Sequence, residues 1–310
     1  MDGHQPTTNG TKRVAIVLAG GEGSRLSDLT RGPDGVHVPK QFCTLLGETP
    51  LLEQARRRVS LSVPTERVCF VLNQDHERFF SPFLADVPQQ NLIVQPGNRG
   101  TTPAILYSLL RVAEFAPRAS VLLVASDHHV SDETALADYV HSAFEAVEEN
   151  PSRTVLLGIS PDEPETSYGW IEPEATPYTN RHLLPVRRFW EKPSHDIALE
   201  LMGRGCLWNS FMIVGQLPTL LELFSLAMRE LYVAFSKIRP SIGTTFEKEA
   251  LRKLYQSLPE SDFSREVLRS VAGNLSVLPV RDVGWSDLGE PDRLAKVAKK
   301  IRPSELRVVL

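Results

Sequence analysis

Three glycines within four positions, Gly20, Gly21 and Gly23, follow the apolar run Val14 to Ala19 and precede Arg25. With no Cβ in the way, backbone N–H groups in such a loop can close on phosphate oxygens as an anion nest, and an arginine adds a rigid fork of donors. The chemistry this points to is polyphosphate binding; a ligand-free strand-to-helix turn is the alternative. The residues after Gly20 do not read G-x-x-x-x-G-K-[ST], and Leu26 stands where G-x-G-x-x-G needs its last glycine, so neither the P-loop nor the dinucleotide fingerprint applies. Lys40, behind Pro39 and fifteen residues beyond Arg25, offers a second positive charge to phosphate, although a single lysine is more often solvated.

Asp127 follows the strand-like run Val121 to Ser126, a place where packing explains a carboxylate poorly and a hard oxygen ligand for Mg²⁺ explains it well; a helix N-cap is the alternative. Asp287 in GWSDLGEP reads equally as a turn residue and gains interest from a pairing with Asp127. His128 and His129 would complete an Asp-His-His of the kind found in metal-dependent phosphoesterases. Such a site needs carboxylates near the first strand, where only Glu22 stands, so loop or core positions are expected for both histidines. Glu191 and Lys192, before Pro193, are either an exposed charge pair or a strand-end site in which Lys192 meets an anion and Glu191 accepts hydroxyl hydrogen bonds. Trp208 reads as a core residue or pocket wall.

These residues need elements to hold them. Strand-like runs at Val14 to Ala19, Val68 to Asn73, Leu92 to Gln95, Val121 to Ser126 and Thr154 to Ile159 alternate with helical stretches near Leu51 to Leu61, Asp75 to Leu84, Pro103 to Phe115 and Glu133 to Glu149. The alternation predicts an α/β fold, a mostly parallel sheet with helices on both faces, and ligands beyond the carboxyl ends of the strands. After about residue 160 the pattern loosens, with a helical region from Pro218 to Val271, a strand at Leu275 to Val280 and a last helix at Pro291 to Lys300. No Gly/Ser-rich linker marks a firm boundary.

Among 310 residues, 34 basic against 38 acidic side chains give a net charge of −4, so bulk charge makes no case for nucleic-acid or membrane partners, and any bound anion must be held locally. No apolar run approaches the roughly 18 residues of a membrane span. Cys43, Cys69 and Cys206 lack C-x-x-C spacing and read as free thiols of a reducing compartment. The first residues, MDGHQPTTNGTKR, hold no apolar h-region, which fits a loose arm and a cytoplasmic protein. No hexapeptide periodicity follows the last helix, so assembly through a β-helical tail is not expected; a homo-oligomer stays open. The KVAKKIRP stretch is a cationic helix end.

LAGGEGSRL followed by PKQF resembles the opening of the sugar nucleotidyltransferases, and among them the mannose-1-phosphate guanylyltransferases. QPGNRGTTPAI, LLVASDHHV, LGISPDEPETSYGWIEP, FWEKP, WNS and GWSDLG agree in order, so the likeness spans about residues 14 to 290. The resemblance implies a Rossmann-like nucleotidyltransferase domain of the GT-A kind and a reaction in which GTP and mannose 1-phosphate give GDP-mannose and pyrophosphate. It also leaves room for another pair, such as UTP or dTTP with glucose 1-phosphate, or for a weakly catalytic regulatory paralogue. It gives the nucleoside triphosphate to Gly20, Gly21, Gly23 and Arg25, with Lys40 assisting the phosphates and Gln95, Asn98, Arg99, Thr101 and Thr102 near the nucleoside. Asp127 and Asp287 resemble a Mg²⁺ pair, and Tyr168, Gly169, Glu191, Lys192 and Asn209 match positions lining a sugar-phosphate pocket. Arg25, Lys40 and Lys192 thereby become the catalytic cations. The implied organisation is an arm over 1–12, one domain over 13–300 with a nucleotide half to about 160 and a sugar-phosphate half from about 161, and a tail over 301–310. Four features depart from the family pattern: Asp28 near the phosphate loop, Gly100 where Asn is usual, Phe211 in place of a glycine, and Gly289-Glu290-Pro291 in place of Gly-Ser-Trp.

Overall fold

All six residues of β2 (Val68–Asn73) and of β6 (Thr154–Ile159) are buried, the mark of strands covered on both faces. The computed structural model of the protein describes residues 12–32, 35–174 and 183–300. The expected tail over 301–310 lies outside them, as does the expected arm apart from Lys12. The remaining strands are β1 (Arg13–Leu18), β3 (Leu92–Gln95), β4 (Ser120–Ala125), β5 (His128–His129), β7 (Gly169–Pro173), β8 (Leu184–Glu191), β9 (Leu207–Gln216), β10 (Leu275–Val280) and β11 (Ser286–Asp287). The helices are α1 (Leu51–Val59), α2 (Glu77–Phe80), α3 (Thr101–Ala113), α4 (Glu133–Glu149), α5 (His195–Gly203), α6 (Leu217–Ala227), α7 (Arg229–Ile238), α8 (Glu247–Ser257) and α9 (Pro291–Lys300).

Nine strands form one sheet in the order β3-β2-β1-β4-β9-β6-β10-β8-β7. The α/β class holds, and so does parallel pairing for β3, β2, β1 and β4 and for β6 with β10. The expectation of a mostly parallel sheet needs correction: β9 runs antiparallel to both β4 and β6, and β8 runs antiparallel to β10 and β7. The chain reverses between β7 and β8, which pair antiparallel, and α5 then returns it to the sheet as β9 in the reversed direction. Because β9 lies between β4 and β6, the two sequence halves share one sheet. One apolar layer packs α3 and α6 to α8 on one face, and another packs α1 and α4 on the other.

The turn into α3 explains one departure from the family pattern. Gly100 lies at φ 83° as the α3 cap, and a Cβ there would sit 2.2 Å from the Ser261 carbonyl oxygen. Ser261 is clipped to the turn by its own N–H, which donates to the Arg99 carbonyl at 3.0 Å, and by its carbonyl, which accepts from the Thr102 N–H at 3.1 Å. The glycine is what lets the 260–265 segment lie against the turn. Gly100→Ala is expected to cost about 1–3 kcal/mol, from a left-handed backbone and a displaced Ser261. A thermal midpoint equal to that of the wild type would contradict this packing.

Candidate active site

A cleft of about 510 Å³ opens beyond the carboxyl ends of β1, β3 and β4 and reaches β7, β8 and β9, so both sequence halves line it. Gly20, Gly21 and Arg25 border one side. The loop is held from behind by Gln41, whose amide donates to the carbonyls of Ala19 (2.9 Å) and Gly21 (2.8 Å). Gln41 is a positioning residue that the sequence reading passes over, although it stands inside PKQF. Gly23 faces away from the cleft onto Lys40, whose Cγ would lie 3.1 Å from an added Cβ.

Lys40 is the buried centre of this end. Its ammonium lies 2.9 Å from Asp127 Oδ2 and 3.5 Å from Asp287 Oδ1, and also donates to the Leu288 carbonyl at 3.3 Å. Burial works to lower its pKa, but Asp127 and Asp287 hold it above the ordinary lysine value. Burial likewise pushes the Asp127 carboxyl up, and Lys40 and then His128 outweigh it, so the group sits below the usual carboxylate range. The two aspartates meet because β5 and β11 pair antiparallel, with Asp287 opposite His128. Asp287 is further steadied by Arg293 of α9, 3.7 Å from its Oδ2, and by Tyr168, whose hydroxyl accepts from the Asp287 N–H at 3.2 Å. Burial holds both neighbouring histidines below their ordinary pKa, His129 at about 4, which suits packed neutral rings rather than charged ones. His128 packs edge-on against Trp285.

Two hard carboxylates converging on one cation position suit Mg²⁺, which takes one or two protein carboxylates and fills its shell with phosphate oxygens and water. Among the described residues there is no group of three or more metal-ligating side chains, so an all-protein cage is absent.

Asn98, Thr101 and Gln95 reach the cleft, and Gln95 is oriented by the Tyr255 hydroxyl, which donates to its Oε1 at 2.9 Å. Arg99 and Thr102 do not line it. The Arg99 guanidinium donates to the Tyr255 carbonyl at 3.0 Å, and the Thr102 hydroxyl accepts from Ser261 at 2.8 Å, so both fix the loop rather than face a ligand. Asp28 points away from the phosphate loop, its side chain exposed and 3.7 Å from Arg31. Arg25 is paired with Glu290 at 2.6 Å, both half-exposed.

Tyr168, Gly169, Glu191, Lys192 and Asn209 all line the cleft, joined by Glu260, Ser261, Asp262, Ser264 and Arg265, which the sequence does not announce. Lys192 turns left-handed at φ 46°, and its exposed ammonium lies 3.7 Å from Glu191. Burial, and then Asp262, raise the Glu191 carboxyl above its usual range. The Asn209 amide is already engaged, accepting from the Phe211 N–H at 3.1 Å and donating to the Ser264 hydroxyl at 3.4 Å. The cleft thus offers donors and a carboxylate pair beyond β1 and β4, and a cation beside a carboxylate at the end of β8.

Residues 14–304 match the Nucleotidyl transferase family. The chain belongs to it. A mannose-1-phosphate guanylyltransferase of Escherichia coli (strain K12) is 28% identical over 296 residues, covering 93% of this chain and 60% of the relative. The xanthan biosynthesis protein XanB of Xanthomonas campestris pv. campestris (strain B100) is 30% identical, again over 93% of this chain and 60% of the relative. The nucleotidyl transferase chain described here therefore spans about three fifths of the length of these relatives. The crystal structure of mannose-1-phosphate geranyltransferase from Thermus thermophilus is similar with a TM-score of 0.76 at 30% identity, over 90% of this chain and 77% of that one. A UDP-glucose pyrophosphorylase from Acinetobacter baumanii, 15% identical with a TM-score of 0.54 over 92% of each chain, shares the fold.

The buried triad of this nucleotidyl transferase carries a stability signature. The Asp127 pKa is lower folded than unfolded, so its contribution is full above about pH 4 and is lost as pH falls through the folded value. Lys40→Met should cost about 1–3 kcal/mol at pH 7 by stranding two partly buried carboxylates, and the gap to the wild type should shrink near pH 3. Urea unfolding at the two pH values measures it, and an equal gap at both would detach Asp127 from Lys40.

Proposed function

We propose that this nucleotidyl transferase joins GTP to mannose 1-phosphate, forming GDP-mannose and releasing pyrophosphate. The observation carrying this reading is a single cleft with a glycine loop, Arg25 and a carboxylate pair at one end and Glu191 with Lys192 at the other. The relatives at 28–30% identity, named for mannose 1-phosphate, favour that pair over UTP or dTTP with glucose 1-phosphate, which rests on fold likeness alone.

A phosphate monoester, with a second pKa of about 6, is largely dianionic near neutrality, so its oxygen attacks the α-phosphorus without a general base. The new bond is sugar-phosphate oxygen to α-phosphorus, the bond to the bridging α–β oxygen breaks, and its electron pair leaves with pyrophosphate. Arg25 and the loop N–H groups hold the leaving phosphates, while Lys192 holds the attacking phosphate in line. Mg²⁺ held by Asp127 and Asp287 would supply the charge neutralisation that phosphoryl chemistry demands. Lys40 positions both carboxylates. Glu191 accepts from sugar hydroxyls. Free Cys43, Cys69 and Cys206 suit the cytoplasm, and among the described residues no helix is long and apolar enough to cross a membrane.

Pyrophosphate release across a matrix of nucleoside triphosphates and sugar 1-phosphates with Mg²⁺ tests the reading. The largest rate is expected for GTP with mannose 1-phosphate, lost in Asp127→Asn; silence across the matrix would favour a regulatory binding protein. Lys192→Ala should raise KM for the sugar phosphate, lower kcat, or both, with triphosphate affinity unchanged. A tenfold fall in nucleotide affinity, about 1.4 kcal/mol, with intact sugar-phosphate kinetics would move Lys192 to the other end of the cleft.

A further inference from the structure

Phe211 is a bulky residue in the left-handed region, at φ 58°. Such a backbone strains an aromatic residue, and strain of this kind persists where the surroundings impose it. What imposes it here is an irregularity in β9. Register runs from Leu156 opposite Ile213 to Gly158 opposite Asn209, so Ser210, Phe211 and Met212 face the single residue Leu157. The bulge is pinned on both sides. The Asn209 side chain accepts from the Phe211 N–H at 3.1 Å, the Ser210 hydroxyl accepts from the Met212 N–H at 3.1 Å, and the same hydroxyl donates to the Leu157 carbonyl.

Bulges beside active sites commonly re-aim a side chain. This one brings Phe211 to the cleft wall within two residues of Asn209, which the sugar-phosphate reading assigns to the acceptor and whose amide donates to the Ser264 hydroxyl. The ring is not loose. It meets Phe263 edge-on at 6.3 Å, and Phe263 is buried against Phe224 at 5.4 Å. A glycine would adopt this backbone without strain, so the benzyl group is carried at a stability cost. Packing alone does not account for it, because the residue is only half-buried and lines the cleft.

We propose that Phe211 is the specificity-determining residue of the acceptor end: its ring sets the size limit of the bound sugar, admitting a plain hexose 1-phosphate and excluding one that bears an acylamino group. The inference rests on the reading of that end as the sugar-phosphate site. It makes Phe211 a steric wall with no part in the bond-forming step, so the nucleotide end should be indifferent to it.

Phe211→Gly and Phe211→Ala together test it. The glycine variant relieves the strain and removes the ring, and the alanine variant removes the ring while keeping the strain. Thermal melting of Phe211→Gly should equal or exceed that of the wild type, which a merely structural ring would not allow. In both variants the ratio of kcat/KM for N-acetylglucosamine 1-phosphate over mannose 1-phosphate should rise at least tenfold, with KM for the triphosphate within twofold of wild type. Titration calorimetry with the two sugar phosphates gives the same comparison without turnover. A wild type that turns over mannose 1-phosphate, with both variants folded and the ratio unchanged, overturns the inference and leaves the proposed function standing. A change confined to triphosphate KM overturns it as well, by placing the ring at the nucleotide end. Wild-type protein that neither binds nor turns over any sugar phosphate overturns the reading of the site and the inference with it.

Discussion

One buried ammonium organises the carboxylate side of the cleft. Lys40 belongs to the segment after the glycine loop, Asp127 to the end of β4, and Asp287 to β11, and their side chains meet at 2.9 and 3.5 Å. Coulomb attraction is strong where water is scarce, and each member of the triad would be costly to leave alone. The neighbouring residue Gln41 ties the glycine loop to the same segment, and Gly23 leans on the lysine stem. The phosphate loop and the carboxylate pair are therefore positioned by two consecutive side chains of one short turn.

The resting cations of the cleft are already paired. Arg25 is met by Glu290, Lys192 by Glu191, and Lys40 by two aspartates. On the proposed function, a chain of net charge −4 would hold a polyanion through such local cations, the exposed ones exchanging or sharing their carboxylates with phosphate. The exposed pairs, Arg25 with Glu290 above all, are weak enough to exchange readily. The buried triad is not, and its rigidity keeps the aspartates in place.

Strands with strongly apolar runs are legible with their ends: β2, β3 and β6 match the sequence reading residue for residue, and β10, α4 and α9 lie where it places them. The stretch Asp75 to Leu84 reads as one helix but folds as a 3₁₀ turn and the single-turn α2, because aromatic packing of Phe79 on Phe42 overrides local propensity. Antiparallel entry of β9 is not legible, since alternation in the first half says nothing of where a later strand inserts. In the site, residue type and strand-end placement single out Asp127, whereas Asp287 reads as a turn residue that gains interest only from a pairing with Asp127. Their meeting depends on a two-residue ladder too short to leave a period. The Ser261 segment escapes sequence reading for the same reason: it reaches the cleft through a backbone clip to Arg99 and Thr102 that leaves no trace in residue type. Arg99 and Thr102, whose polar groups look available for a ligand, are consumed by that clip and by Tyr255.

The position of β9 has a consequence for how the chain reaches its fold. A ribosome that has delivered residues 13–160 has made β1 to β6, yet β4 and β6 cannot pair with each other, because the strand that joins them is residues 207–216. Until β9 emerges, two strand edges rich in valine and leucine stand open, the condition in which nascent chains pair with the wrong neighbour. Contacts between β4 and β9 span close to a hundred residues, so closure pays a large loop entropy before it is rewarded, and folding of this sheet is slow by topology. The strand that bridges β4 and β6 also carries Asn209 and Phe211, so that wall of the cleft is assembled in the same step that joins the two parts of the sheet.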